Sequence, residues 1–151
     1  MQETRTDDLA IRVWFRLIRL ESRLGAAVSE RLREIGLSVP QCDVLTTLTE
    51  EEGVSQQALA QRLYVTKGNI SGLLDRLESA GLVERRSTAA DRRQYEIHLT
   101  DTGRESAHRA IAIQHAVIGA TLGRMPAADL ENFEHMLVAL RDIVRAETPA
   151  E

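Results

Sequence analysis

The chain holds a single cysteine, Cys42, in 151 residues. No disulfide can form within it, which fits a reducing compartment. Aromatic residues make up 3% of the chain against 43% for all apolar types, so the core is expected to be aliphatic and helical. No stretch approaches the ~18 consecutive apolar residues of a membrane span. The opening residues, Met1-Gln2-Glu3-Thr4-Arg5, lack the basic-then-apolar pattern of a secretion signal. The expectation is a cytoplasmic protein without membrane attachment. Also missing are a phosphate-cradling glycine loop, Gly-x-Ser-x-Gly, His-Glu-x-x-His and Cys-x-x-Cys. The common enzyme signatures are therefore absent, and no cofactor is expected. Lysine is nearly absent too: Lys67 is the one lysine among 19 basic residues, a bias that reflects coding composition more than function.

The net charge of −4 argues against a polyanionic partner until its distribution is considered. Residues 54–100 hold seven basic and five acidic side chains, net +2, whereas residues 1–53 and residues 101–151 each come to −3. Phosphates respond to the field within about a Debye length, ~10 Å, so the local excess is the relevant quantity. Differences of this size also arise by ordinary scatter.

No internal repeat, low-complexity segment or long linker divides the chain, which is long enough for one compact domain. Residues 9–35 read as a long first helix. Its first half is apolar almost all round, through Leu9, Ala10, Ile11, Val13, Trp14, Phe15, Leu17, Ile18 and Leu20. A helix of that kind must be covered on every side, which implies a partner chain. Ser38 and Gln41 form a capping box with Pro40 in the first turn of a second helix carrying Val44, Leu45 and Leu48. Gly53 ends the acidic run Glu50-Glu51-Glu52. Ser55 caps a third helix that buries Leu59 and Leu63, and Thr66 caps a fourth. Tyr64-Val65 is the short turn between them, the spacing of a helix-turn-helix.

On a wheel at 100° per residue, Ile70, Leu73, Leu74 and Leu77 cluster on one side of the fourth helix. The other side shows Gly68 and Gly72 flanked by Asn69, Ser71, Asp75 and Arg76. Each glycine costs a helix interior ~1 kcal/mol against alanine. Close approach of the helix to base edges or phosphates would explain two of them on an outward face; tight packing on another helix is the competing explanation. Asn69 has the donor and acceptor to read adenine, while Thr66, Lys67 and Ser71 suit phosphates or single base contacts. Arg76, further along, either holds the fold or lines a pocket.

A hairpin follows at once: Leu82-Val83-Glu84-Arg85-Arg86, a polar loop Ser87 to Arg93, then Gln94 to Leu99 with Tyr95, Ile97 and Leu99 alternating as a half-buried strand. Asp91 can bond backbone amides and fix the loop. Arg85 and Arg86 at its root either contact phosphates or form a solvated strand face. A groove-entering helix followed by an arginine-tipped hairpin is the pattern of a winged helix that binds double-stranded DNA. Thr100 caps a fifth helix to about Leu122, rich in Ala107, Ala110, Ala112, Ala116 and Ala120. Pro126 opens a sixth, where Leu130, Phe133, Leu137, Leu140 and Val144 repeat at 3, 4, 3, 4 as a helix–helix seam.

Asp91-x-Arg93, followed by five residues and Leu99-Thr100, resembles the wing signature of the multiple antibiotic resistance regulator (MarR) family. The order of helices and hairpin resembles that family over nearly the whole chain. The resemblance implies a mainly α fold with a small β-hairpin, a winged helix-turn-helix lobe at 38–99, and dimerisation helices at 1–37 and 100–151 that interlock between two subunits as one intertwined domain. It implies a homodimeric transcription regulator, a repressor of a pseudo-palindromic operator relieved by a small anionic or aromatic effector. The DNA-binding set so implied is Thr66, Lys67, Gly68, Asn69, Ser71, Gly72, Arg85, Arg86, Asp91, Arg92 and Arg93, with Arg93 at the wing tip in or beside the minor groove, whose negative potential attracts arginine.

Arg12, Arg16, Arg19 and Arg23 form one stripe of the first helix. Such a stripe is either a solvated face or a means of capturing an anionic effector, for which Arg16 and Arg19 are the candidates. A urate-responsive subgroup of the family uses a tryptophan, an aspartate and arginines. Asp43 and Arg76 sit where two of these would fall, whereas Trp14 lies within the first helix rather than in an extra leading one. Peroxide-sensing relatives carry their cysteine in the first helix; Cys42 lies in the second and reads as a packed core thiol. His108 and His115 are two turns apart, about 10 Å, too far to share a zinc ion unaided, and no metal site is expected. A winged-helix protein-interaction module without DNA binding and a small enzyme are the competing classes. Duplex binding that falls steeply with salt separates them.

Overall fold

The computed structural model describes residues 2–87 and 95–147, with side chains from Thr6 onward. The elements run α1 (Gln2–Arg33), α2 (Val39–Glu50), β1 (Val54–Ser55), α3 (Gln56–Arg62), α4 (Lys67–Ser79), β2 (Val83–Ser87), β3 (Tyr95–Leu99), α5 (Asp101–Ala120), a 3-10 turn (Leu122–Arg124) and α6 (Ala127–Glu147). Two compact units divide them, residues 1–114 and 115–151.

Local chemistry sets the helix boundaries in the first unit. Ser38 accepts from the Gln41 amide while the Gln41 side chain accepts from the Ser38 amide, the reciprocal capping box the sequence predicts. Ser55 and Thr66 cap α3 and α4 through the amides of Ala58 and Asn69. Thr100 accepts from the Gly103 amide at 2.9 Å and donates to the Gly81 carbonyl, tying the start of α5 to the end of α4. At the other end of α4, Gly81 takes φ +71° and the Leu82 amide bonds back to the Leu77 carbonyl at 2.9 Å. That is the left-handed helix stop for which glycine carries no Cβ penalty.

The core of this unit is aliphatic throughout. Leu32 of α1, Val44, Leu45 and Leu48 of α2, Leu59 of α3, Ile70, Leu74 and Leu77 of α4, Val83 and Ile97 of the sheet, and Ala107 and Ala110 of α5 are buried within 2% of complete exclusion from solvent. No aromatic side chain joins them among the described residues. Each large aliphatic side chain contributes about 1.5–3 kcal/mol of transfer free energy at most. Only the last turns of α1 take part, through Val28 and Leu32; earlier, Leu9, Ile11, Val13, Trp14, Phe15, Ile18 and Leu20 are all exposed.

The structure departs from the sequence reading in three places. α1 begins at Gln2 rather than residue 9, since nothing between them breaks a helix. The hairpin is part of a three-stranded antiparallel sheet in the order β1-β3-β2, because Val54 pairs with Ile97 and Ser55 with Glu96. A two-residue strand is too short to show alternation. Leu63 is the C-cap of α3, half-buried against the core rather than inside the helix. In the second unit, α6 follows Pro126 as expected, and none of its residues is buried.

Candidate nucleic-acid interface

The side of α4 opposite its buried stripe is open. Thr66, Lys67, Gly68 and Asn69 are exposed, and Ser71 and Gly72 half-buried. A Cβ built at Gly68 would meet nothing within 4 Å, and one at Gly72 would meet only the end of Arg76, at 3.8 Å. Tight packing on a neighbouring helix therefore does not account for the two glycines. They border a groove of about 370 Å³ lined by Pro40, Val65, Gly68, Asn69, Gly72, Leu73 and Arg76. No acidic residue stands in the first turn of α4, so the positive end of its dipole is unopposed there. Arg76 is exposed and lines the groove, the second of the two roles its position allowed.

The two arginines at the root of the hairpin behave differently. Arg85 turns inward, its side chain 14% exposed, and its guanidinium binds Asp75 at 2.7 Å, Glu78 at 2.8 Å and the Ser71 carbonyl at 3.2 Å. Its backbone amide also donates to Glu78, at 3.2 Å. Burial works against its charge, but the two carboxylates outweigh it and raise its pKa further above the ordinary arginine value. Arg85 is thus a bracket between β2 and α4, neither a free phosphate ligand nor a solvated face. Arg86 is 57% exposed and pairs with Glu84 on its own strand. Asp91, Arg92 and Arg93 lie outside the described residues.

Neither of the two principal cavities among the described residues holds all four effector candidates. Arg16 and Arg19 line a depression of about 270 Å³ with Arg12 and Phe15, all on α1. Arg76 lines the groove on α4, and Asp43 lines neither. The cause is that α1 joins the core only through its last turns, which leaves the turns bearing Arg16 and Arg19 exposed. Asp43 is half-buried, and that burial raises its carboxyl pKa. The neighbouring Cys42 is fully buried; burial first, and the Asp43 charge second, push its thiol up to about 11. At neutral pH it is a protonated, packed thiol. No group of three or more His, Cys, Asp or Glu among the described residues is arranged to hold a metal ion, and no described helix is long and apolar enough to cross a membrane.

Tyr64, which the sequence marks only as part of the turn before α4, has φ +53° and is 91% exposed. A bulky residue immediately after a helix, where glycine is usual, was the available signal.

A helix-turn-helix followed by a hairpin packed on its second helix defines a winged helix-turn-helix protein. Residues 35–94 match the MarR family. The chain is 33% identical over 124 residues to the HTH-type transcriptional repressor Rv2887 of Mycobacterium tuberculosis, spanning 82% of this chain and 89% of that one. It is 36% identical over 124 residues to the HTH-type transcriptional regulator TtmR of Methylorubrum extorquens, spanning 80% of this chain but 64% of that longer relative. Among solved structures, Rv2887 bound to DNA aligns with a TM-score of 0.67 at 32% identity, covering 83% of this chain and 94% of that one. The repressor CouR bound to a 23-mer DNA duplex aligns with a TM-score of 0.78 at 28% identity, covering 91% and 96%. The chain belongs to the MarR family of winged-helix transcription regulators.

Proposed function

We propose that the chain is a homodimeric repressor that lays α4 in the major groove of a pseudo-palindromic operator. The observation that carries this reading is the open, glycine-bearing N-terminal face of α4. Thr66, Lys67, Gly68, Asn69, Ser71 and Gly72 form its contact surface, with Asn69 reading a base edge and the others seated against the backbone. Arg86 adds a phosphate contact, and Arg92 and Arg93 are assigned to the DNA backbone and minor groove as the sequence implies, with Asp91 serving to fix their loop. Arg85 does not belong to it, because its guanidinium is already committed to Asp75 and Glu78. The DNA-bound structures of Rv2887 and CouR support the reading.

Two-fold assembly follows from the bare apolar surfaces of α1 and α6, and it sets the operator's symmetry, with half-sites about one helical turn, ~10 bp, apart. A small anionic aromatic molecule relieves repression; the structures of Rv2887 with p-aminosalicylic acid and with salicylic acid support this class. Arg16 and Arg19 on α1, Arg76 on α4 and Asp43 on α2 are its candidate contacts. Such a ligand acts only through its differential affinity for the DNA-competent and incompetent arrangements, and operator DNA must weaken its binding by the same factor.

The experiment is a footprint on the DNA flanking the protein's own gene, with and without aromatic carboxylates, over a range of salt. A protected two-fold site whose affinity falls steeply with salt is expected. No duplex binding at low salt would leave the protein-interaction module as the better reading.

A further inference from the structure

Three helices in the first unit end in the same way, but with different residues. After α1 the Leu37 amide bonds back to the Leu32 carbonyl at 3.0 Å around Gly36, φ +75°. After α4 the Leu82 amide bonds back to the Leu77 carbonyl at 2.9 Å around Gly81, φ +71°. After α3 the Val65 amide bonds back to the Ala60 carbonyl at 3.1 Å, and the residue at the left-handed position is Tyr64, φ +53°. This stop favours glycine, which has no Cβ to clash, and a bulky side chain is strained there. Tyr64 is the one non-glycine residue with positive φ among the described residues. Packing does not repay the strain, since 91% of Tyr64 is exposed, more than any other large apolar side chain described.

What surrounds Tyr64 points to its use. It stands two residues before Thr66, the N-cap of α4, and three before the exposed Lys67. Val65, its neighbour, lines the groove that runs past Gly68 and Asn69. A helix entering the major groove by its N-terminus brings the residues just before it close to the sugar-phosphate backbone at the groove's edge. A tyrosine there offers a hydroxyl donor for a phosphate oxygen and a rigid ring that orders little on binding.

We propose that Tyr64 is a backbone-clamping residue of the DNA interface, held outward by the strained α3 stop so that its phenol reaches a phosphate flanking the groove that α4 enters. This rests on the DNA-binding reading above. Because the phenol is neutral, its contact releases no counterion and lends affinity without sequence preference or salt slope.

The test is titration of a random-sequence 30-bp duplex at several salt concentrations, with the parent, Tyr64→Phe and Tyr64→Gly, alongside thermal unfolding of each. We expect Tyr64→Phe, which keeps the ring, to lose about fivefold in affinity, and Tyr64→Gly about tenfold or more. The salt slopes of both should equal the parent's, and the unfolding midpoint of Tyr64→Gly should be no lower than the parent's. Parent-like affinity in both variants would overturn the clamp while leaving DNA binding intact. A flattened slope in Tyr64→Phe would overturn it too, because loss of a neutral hydroxyl must leave the slope alone. A parent that binds no duplex at any salt would overturn the DNA reading itself, and the clamp with it.

Discussion

Gly103, in the first turn of α5, lies directly against the carbonyl of Leu82 at the start of the hairpin. A Cβ added at Gly103 would sit 1.8 Å from that oxygen and 2.7 Å from its carbon. The same carbonyl accepts from the Thr100 amide at 3.1 Å, so the oxygen is pinned from the α5 side. Backbone cannot swing away as a flexible side chain can. Gly103→Ala must therefore part α5 from the hairpin or break the Thr100 bond. We predict a loss of about 2–3 kcal/mol or more, read as a lower denaturant midpoint at unchanged slope. A variant as stable as the parent would show that this approach is looser than it looks.

The Arg85 bracket should govern stability and wing placement rather than the electrostatics of DNA binding. Arg85→Met removes a guanidinium that holds Asp75, Glu78 and the Ser71 carbonyl, and an exposed pair of carboxylates remains on α4. The expected cost is about 1–2 kcal/mol of folding stability, since most of the released groups return to water. On DNA, the salt slope of Arg85→Met should match the parent's. Lys67→Ala and Arg86→Ala should instead each flatten it by about one. A slope reduced by one in Arg85→Met would return that residue to the phosphate-binding set.

Much of this architecture was legible because its determinants are local. Capping hydroxyls at Ser38, Ser55 and Thr66 mark helix starts, and the four apolar positions of α4 declare its buried side. Alternation from Tyr95 to Leu99 declares β3. What stayed hidden depends on contacts far apart in sequence. The β1 strand exists because two residues happen to align with Ile97 and Glu96. The inward turn of Arg85 depends on Asp75 and Glu78 one element earlier. The strain at Tyr64 is local, set by the Val65–Ala60 hydrogen bond, but a tyrosine does not mark a left-handed stop as a glycine does. That Arg16 and Arg19 line a different depression from Arg76 depends on how α1 packs, which a helical stripe does not reveal.

Acid should weaken the joint between α2, β3 and α5 through Glu52. Its carboxylate accepts from the Leu99 amide at 2.8 Å and from Arg104 at 3.0 and 3.1 Å. Partial burial opposes its charge, but Arg104, the Leu99 amide and His98 outweigh that and hold the pKa below the ordinary 4.5. The folded state thus binds this proton more weakly than the unfolded chain. The stabilisation is present above the ordinary value and is lost as pH falls through the lowered one. Glu52→Gln should cost under about 1 kcal/mol at neutral pH, as expected for a largely solvent-screened pair. It should also make the stability profile shallower below pH 4.5. Parallel acid limbs for parent and variant would assign the acid sensitivity to other carboxylates.

The bare face of α6 carries the assembly prediction. Within the second unit Met136, Leu137, Val138, Leu140, Ile143 and Val144 are 41–60% exposed, and no residue of the helix is buried. In the first unit the turns of α1 from Leu9 to Leu20 show seven large apolar side chains to solvent. Soluble monomers rarely expose continuous apolar surface on this scale, whereas a two-fold interface would bury each patch in both copies at once. The 3, 4, 3, 4 spacing from Leu130 to Val144 is what a helix seam requires. Sedimentation at micromolar concentration should therefore give a dimer. Leu140→Glu places two uncompensated charges in a two-fold seam, and it should shift the protein toward monomer or aggregate while leaving the buried core of the first unit unchanged. DNA affinity should fall with it, because two half-sites are no longer bound by one molecule. A parent chain that sediments as a well-folded monomer would sink the dimer, and with it the pseudo-palindromic operator.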